Sequence, residues 1–109
     1  MTRVYLWQGN MRYGYLTEEG GKYVWTPDVA SIESADPIHM ILFPLPRKKT
    51  SFKEVPPIYD SFAFSQRADL VEQAKVLPTD TPFERLVKFA ALHFTPLHYY
   101  ISLCETYDR

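Results

Sequence analysis

The chain has 109 residues, enough for one domain with a modest core. Its formal net charge of −1 excludes the strong positive excess of a general nucleic-acid binder. Its single cysteine, Cys104, excludes an internal disulfide and suits a reducing cytosol.

Aromatic residues make up 16% of the chain, with 8 Tyr, 7 Phe and 2 Trp, which is rich for a domain this small. Some rings serve as core bulk, and others are expected at a partner interface, where Tyr, Trp and Phe are enriched. The N-terminal stretch MTRVYLWQGN lacks the long apolar core of a signal peptide, and no stretch approaches membrane-spanning length. A soluble cytoplasmic protein is the expectation.

Arg3 to Thr17 reads as a β-hairpin turning at Gly9-Asn10, both of which tolerate positive φ. Val4, Leu6 and Gln8 fall on one face of its first strand, Tyr5 and Trp7 on the other. With large apolar residues on both, one face is expected to be covered and the other partly sheltered. Gly14 inside the return strand predicts a bulge or a close backbone approach. Glu18 to Gly21 is a second turn, and Lys22 to Thr26 a third strand with Tyr23 and Trp25 on one face and Val24 opposite. Asp28 to Ser34 is compatible with a short helical turn, with Val29 and Ile32 three apart.

Ile38 to Phe43 is short, aliphatic and bounded by prolines, and is expected to be a central fourth strand. His39 within it is read as a hydrogen-bonded structural residue rather than a ligand. Arg47, Lys48 and Lys49, with Lys53 nearby, form the one basic cluster. A solvated loop is the plain reading, and an electrostatic contact to an acidic partner or a nucleic-acid phosphate is the alternative.

Pro56-Pro57 opens a predicted helix that buries Ile58, Tyr59 and Phe62, and Phe64-Ser65-Gln66 follows. A second helix is expected from Arg67 to Val76, with Leu70, Val71 and Ala74 inward and Pro78 as its stop. Thr81-Pro82-Phe83-Glu84 is the cleanest local signal: Thr81 as N-cap, Pro82 at the first helical position, and Glu84 closing a capping box. The helix that follows shows Phe83, Leu86, Val87, Ala90, Ala91 and Phe94 at helical spacing until Pro96 blocks it. Leu97 to Cys104 reads as a last strand returning to the sheet, with a frayed tail after Glu105. The sum is an α+β domain: a mainly antiparallel sheet of about five strands with three helices grouped on one side.

Catalytic machinery is not marked. The glycines lack phosphate-loop or dinucleotide spacing. His93 and His98 are separated by Pro96 and cannot pair as ligands on one helix face. Cys104 with His98 has no evident third orienting group, so a buried, inert thiol is the expectation. The reading is a binding module without a cofactor, metal or active site; a small enzyme whose acid/base pair is assembled only by folding ranks last.

The assembled pattern resembles the N-terminal subdomain of HipA-type serine/threonine kinases. VYLWQGNMRYGYLTEEGGKYVWTPDV is similar to that family's "V-x-L-x-G/N-x-x-V-G-x-L" hairpin and the strand after it. PIHMILFPLP resembles its "P-(L/I)-S-x-S-L-P-L". VPPIYDSFAFSQR sits where the family has "V-x-x-F-F-D-N-L-L-P-E-G-x-x-R", matching at Val55, Tyr59, Asp60 and Arg67. TPFERLVKFAALHF and LHYYISLCE resemble the helix and strand that follow. Two departures stand out. The chain stops where such a kinase would continue into its ATP-binding and catalytic regions. The family's "N-L-L-P-E-G" is here Ser61-Phe62-Ala63-Phe64-Ser65-Gln66, either drift at a surface turn or a new contact element.

A free-standing copy of this subdomain is similar to HipS, the third component of HipBST toxin–antitoxin systems. In these, HipS supplies the subdomain in trans to the kinase HipT, which lacks it, and acts as the antitoxin, while HipB binds DNA. The resemblance implies a HipT-like kinase as partner, a HipB-like helix-turn-helix protein as a further member of the assembly, and DNA reached only through that complex. The departure at Ser61 to Gln66 makes Phe62, Phe64, Ser65 and Gln66 the expected inhibitory contact, and the basic loop from Arg47 to Lys53, with Arg47, Lys48 and Lys49, is a second candidate contact. A non-inhibitory subunit that stabilises or activates the kinase, or a co-repressor, is the alternative.

Overall fold

The computed structural model describes residues 2–34, 45–65, 67–92 and 99–105. Strands β1 (Val4–Gln8), β2 (Met11–Glu19) and β3 (Lys22–Pro27) form an antiparallel meander. Two short strands, β4 (Thr50–Phe52) and β5 (Tyr100–Ser102), complete a five-stranded antiparallel sheet in the order β4-β3-β2-β1-β5. Four helices are found among the described residues, one more than expected: α1 (Val29–Ser34), α2 (Tyr59–Ala63), α3 (Ala68–Ala74) and α4 (Pro82–Ala90). The class is α+β.

The hairpin follows its turn chemistry, with Gly9 at φ 60°. Leu6 pairs with Gly14 but Trp7 pairs with Arg12, so Tyr13 is an extra residue in β2, a β-bulge. The bulge changes the parity of the strand, and both Tyr13 and Leu16 reach the core. Gly14 is required there. A Cβ on it would collide with the Thr26 carbonyl oxygen and with the Trp25 ring.

One face of the sheet carries the core. Val4, Leu6, Leu16, Trp25 and Ile101 pack with Ile32 of α1, Tyr59 and Ala63 of α2, Leu70 of α3, and Phe83, Leu86, Phe89 and Ala90 of α4. All four helices therefore serve one face. The opposite face carries a separate aromatic cluster of Tyr5, Trp7 and Tyr100 with Tyr15 against it. Trp7 and Tyr100 stack with their rings 8° from parallel, and Arg3 lies 4.4 Å from the Tyr15 ring centroid.

The capping box at α4 forms as its sequence predicts: Glu84 N–H donates to Thr81 Oγ1 at 3.2 Å, and Thr81 N–H to Glu84 Oε1 at 3.1 Å. Such a cap contributes about 1 kcal/mol. Burying Phe83, Leu86 and Phe89 contributes about 6 kcal/mol together. The cap sets where α4 begins, and burial sets that it forms. Phe89, unassigned by spacing alone, is on the buried face, while Ala91 lies exposed beyond the helix end.

Other differences from expectation are local. Val29 is exposed and only Ile32 of α1 turns inward; at the start of the helix the Ser31 N–H donates to Asp28 Oδ1 at 3.3 Å. The segment read as a basic loop contains β4, which pairs with Tyr23 to Trp25. The predicted strand Ile38 to Phe43 with His39 lies outside the described residues, as do Gln66, His93, Phe94, and Leu97 and His98 of the expected last strand.

Candidate partner interface

Helix α2 is only five residues long and cannot hold its shape by its own hydrogen bonds. Its position follows from Tyr59, which is fully buried, packs edge-on against Trp25 and donates its hydroxyl to the Val4 carbonyl at 2.8 Å. Reaching that position forces Ile58 to φ 74°, ψ −55°, a strained conformation for a β-branched residue. Strain of this kind costs about 1–3 kcal/mol, which the burial of Tyr59 offsets.

The helical period then assigns the faces. Tyr59 and Ala63 are buried and Phe62 packs half-buried against the core, whereas Asp60, Ser61 and Phe64 turn outward. Phe64 is 58% exposed, the most exposed of the large hydrophobic residues among the described part of the chain. It stands between two grooves. One is lined by Ser65, Ala68, Val71, Asp80, Pro82 and Arg85. The other is lined by Tyr23, Lys53, Glu54, Val55, Asp60 and Pro82. Phe64 borders both.

Two cations of α4 secure the short helices at their C-terminal ends, where carbonyls lack helical partners and the helix dipole favours positive charge. Arg85 donates from Nε to the Ala63 carbonyl and from Nη2 to the Ser65 carbonyl at 2.7 Å. Lys88 donates to the Lys75 carbonyl at 3.1 Å, just past α3, and pairs with Asp80 at 2.6 Å. Lys75 itself is left-handed (φ 58°), with its N–H on the Glu72 carbonyl and Val76 N–H on the Val71 carbonyl. That is a Schellman ending, with Val71 and Val76 both against the core. Asp80 is held below the usual carboxylate range, chiefly by the hydrogen bond from Lys88 and then by that from the Leu77 N–H.

Of the residues singled out in the sequence, Phe64 and Ser65 share a groove, and Lys53 lies on the neighbouring one. Arg47, Lys48 and Lys49 are exposed but line neither groove. They precede β4 and Lys53 follows it, so the cluster brackets an edge strand, where cationic side chains discourage edge-to-edge pairing. Arg85 was not singled out from the sequence; its place within the helical spacing of α4 gave no sign of which carbonyls it would meet. Among the described residues no three His, Cys, Asp or Glu side chains converge as a metal set, and no helix is long and apolar enough to cross a membrane. Comparison of the chain with protein-family models, with curated proteins and with solved structures found no match.

Proposed function

We propose that this protein is a HipS-like antitoxin that binds a HipT-like serine/threonine kinase in the cytoplasm and neutralises it by protein–protein contact, without catalysis of its own. The observation that carries the reading is Phe64. A large aromatic side chain stands out between two grooves, on a backbone that is otherwise fixed to the core. Exposed rings of this kind are favoured as anchors in interfaces. Phe64 is the contact residue, Ser65 lies beside it, and Gln66 continues the same chain segment. Lys53 and the Arg47–Lys49 cluster add positive charge that steers association and contributes little once the complex is salt-screened.

The test is binding of the purified protein to a HipT-like kinase that lacks its own N-terminal subdomain. Phe64→Ala is expected to weaken the complex about tenfold or more, with stability changed by no more than about 0.5 kcal/mol because the ring is exposed. Wild-type affinity in Phe64→Ala, with Ser65 and Gln66 also replaced, defeats the assignment of the contact.

A further inference from the structure

The arrangement around Phe64 assigns a role to a residue on a different helix. Arg85 donates to the carbonyls of Ala63 and Ser65, the residues on either side of Phe64. The intervening backbone is also fixed from within: Phe64 N–H donates to the Asp60 carbonyl at 3.0 Å and Ser65 N–H to the Phe62 carbonyl at 3.2 Å. Arg85 is itself fixed, because its neighbour Leu86 is fully buried and its guanidinium lies 5.6 Å from the Phe89 ring centroid. A guanidinium presents its donors as a rigid fork, so two carbonyls bound at once define the orientation of the turn as well as its position. With both carbonyls drawn inward toward α4, the side chain between them is left pointing to solvent.

We infer that Arg85 is a positioning residue that holds Phe64 in its partner-ready orientation before any partner arrives; the inference rests on the reading of Phe64 as the contact. A five-residue helix that begins at a strained Ile58 and lacks a side-chain cap is ordered at its exit by those two backbone bonds and by the Arg85 fork. Without the fork the turn samples other orientations. Apparent affinity then falls in proportion to the fraction of molecules holding the productive one, and the partner must supply the ordering cost on binding.

The experiment uses the full chain with Arg85→Gln and Arg85→Lys. Amide hydrogen exchange without partner is the first readout: Arg85→Gln is expected to speed exchange at Phe64 and Ser65 by about tenfold or more relative to its effect on β1 and β2 amides. Arg85→Lys, able to reach one carbonyl, is expected to fall between. Binding to the subdomain-lacking kinase is the second readout. Arg85→Gln is expected to raise Kd about tenfold, and to cost little further in a Phe64→Ala background, since it acts through that ring. Unchanged exchange at Phe64 and Ser65 overturns the proposal. So does an equal loss of affinity in the Phe64→Ala background, which makes Arg85 a direct contact. Faster exchange at the turn with wild-type affinity for both Phe64→Ala and Arg85→Gln overturns the contact reading, and the positioning role with it, while leaving the turn's local order explained.

Discussion

Replacing Tyr59 by Phe removes one oxygen and almost no volume, which makes it a clean probe of the core beneath α2. The hydroxyl is fully buried and donates to the Val4 carbonyl at 2.8 Å across 55 residues of sequence. Losing it leaves a buried acceptor short of a partner, at a cost of about 1.5 kcal/mol near neutral pH. Burial also pushes the Tyr59 phenol well above its ordinary value of 10.0. A group whose native pKa is raised contributes stability that is complete below the unfolded value and is lost as pH climbs past it. Above pH 10 the unfolded chain releases this proton and the native chain keeps it, so wild type loses about 1.4 kcal/mol per pH unit that Tyr59→Phe does not. The two effects together predict that the variant is the weaker protein at pH 7 and that the difference closes near pH 11. The assay is urea denaturation at a series of pH values, reading the midpoint with the slope held common. A gap that stays constant between pH 7 and 11, or no gap at pH 7, refutes the assignment of this hydroxyl to a buried bond.

Gly14→Ala is expected to lower the melting temperature by about 10 °C, because the added methyl meets the Thr26 backbone and the Trp25 ring at a bulge that neither can vacate; an unchanged melting temperature contradicts the bulge. Lys75→Gly is expected to stabilise the protein by about 1 kcal/mol in urea denaturation, since the left-handed ending of α3 penalises a side chain while the carbonyl that Lys88 uses is retained. Asp80→Asn tests the Lys88 pair by its pH dependence. The native Asp80 pKa is depressed below 3.8, so its contribution is present above that value and is lost as pH falls through the native one. The variant is therefore expected to lag wild type most at neutral pH and to converge with it in acid, and a pH-independent difference counts against the pair.

The parts of the fold legible in the sequence are those fixed by neighbours in the chain. Gly9 and Gly20-Gly21 mark turns because of their own φ freedom, the alternation of Val4 and Leu6 against Tyr5 and Trp7 follows from the strand period, and Thr81 with Glu84 is a self-contained cap. The parts that were not legible depend on partners distant in sequence. Thr50 to Phe52 has no apolar run of its own and becomes a strand only because β3 offers an open edge. Phe89 joins the core because α2 and the sheet both lie beneath α4, a wider face than one stripe of spacing suggests. For the candidate site, the outward place of Phe64 could be read from the period that Tyr59 sets. The Arg85 contacts across 22 and 20 residues could not, since no local pattern records which carbonyls a long side chain will find.

We propose that this domain docks on a kinase and silences it. The most direct test is phosphorylation by a HipT-like kinase lacking the N-terminal subdomain, measured while the purified protein is titrated in. Activity is expected to fall to background as the protein approaches stoichiometry, and Phe64→Ala to shift the curve to higher concentration. Kinase activity that is spared or raised at saturating protein contradicts the proposal.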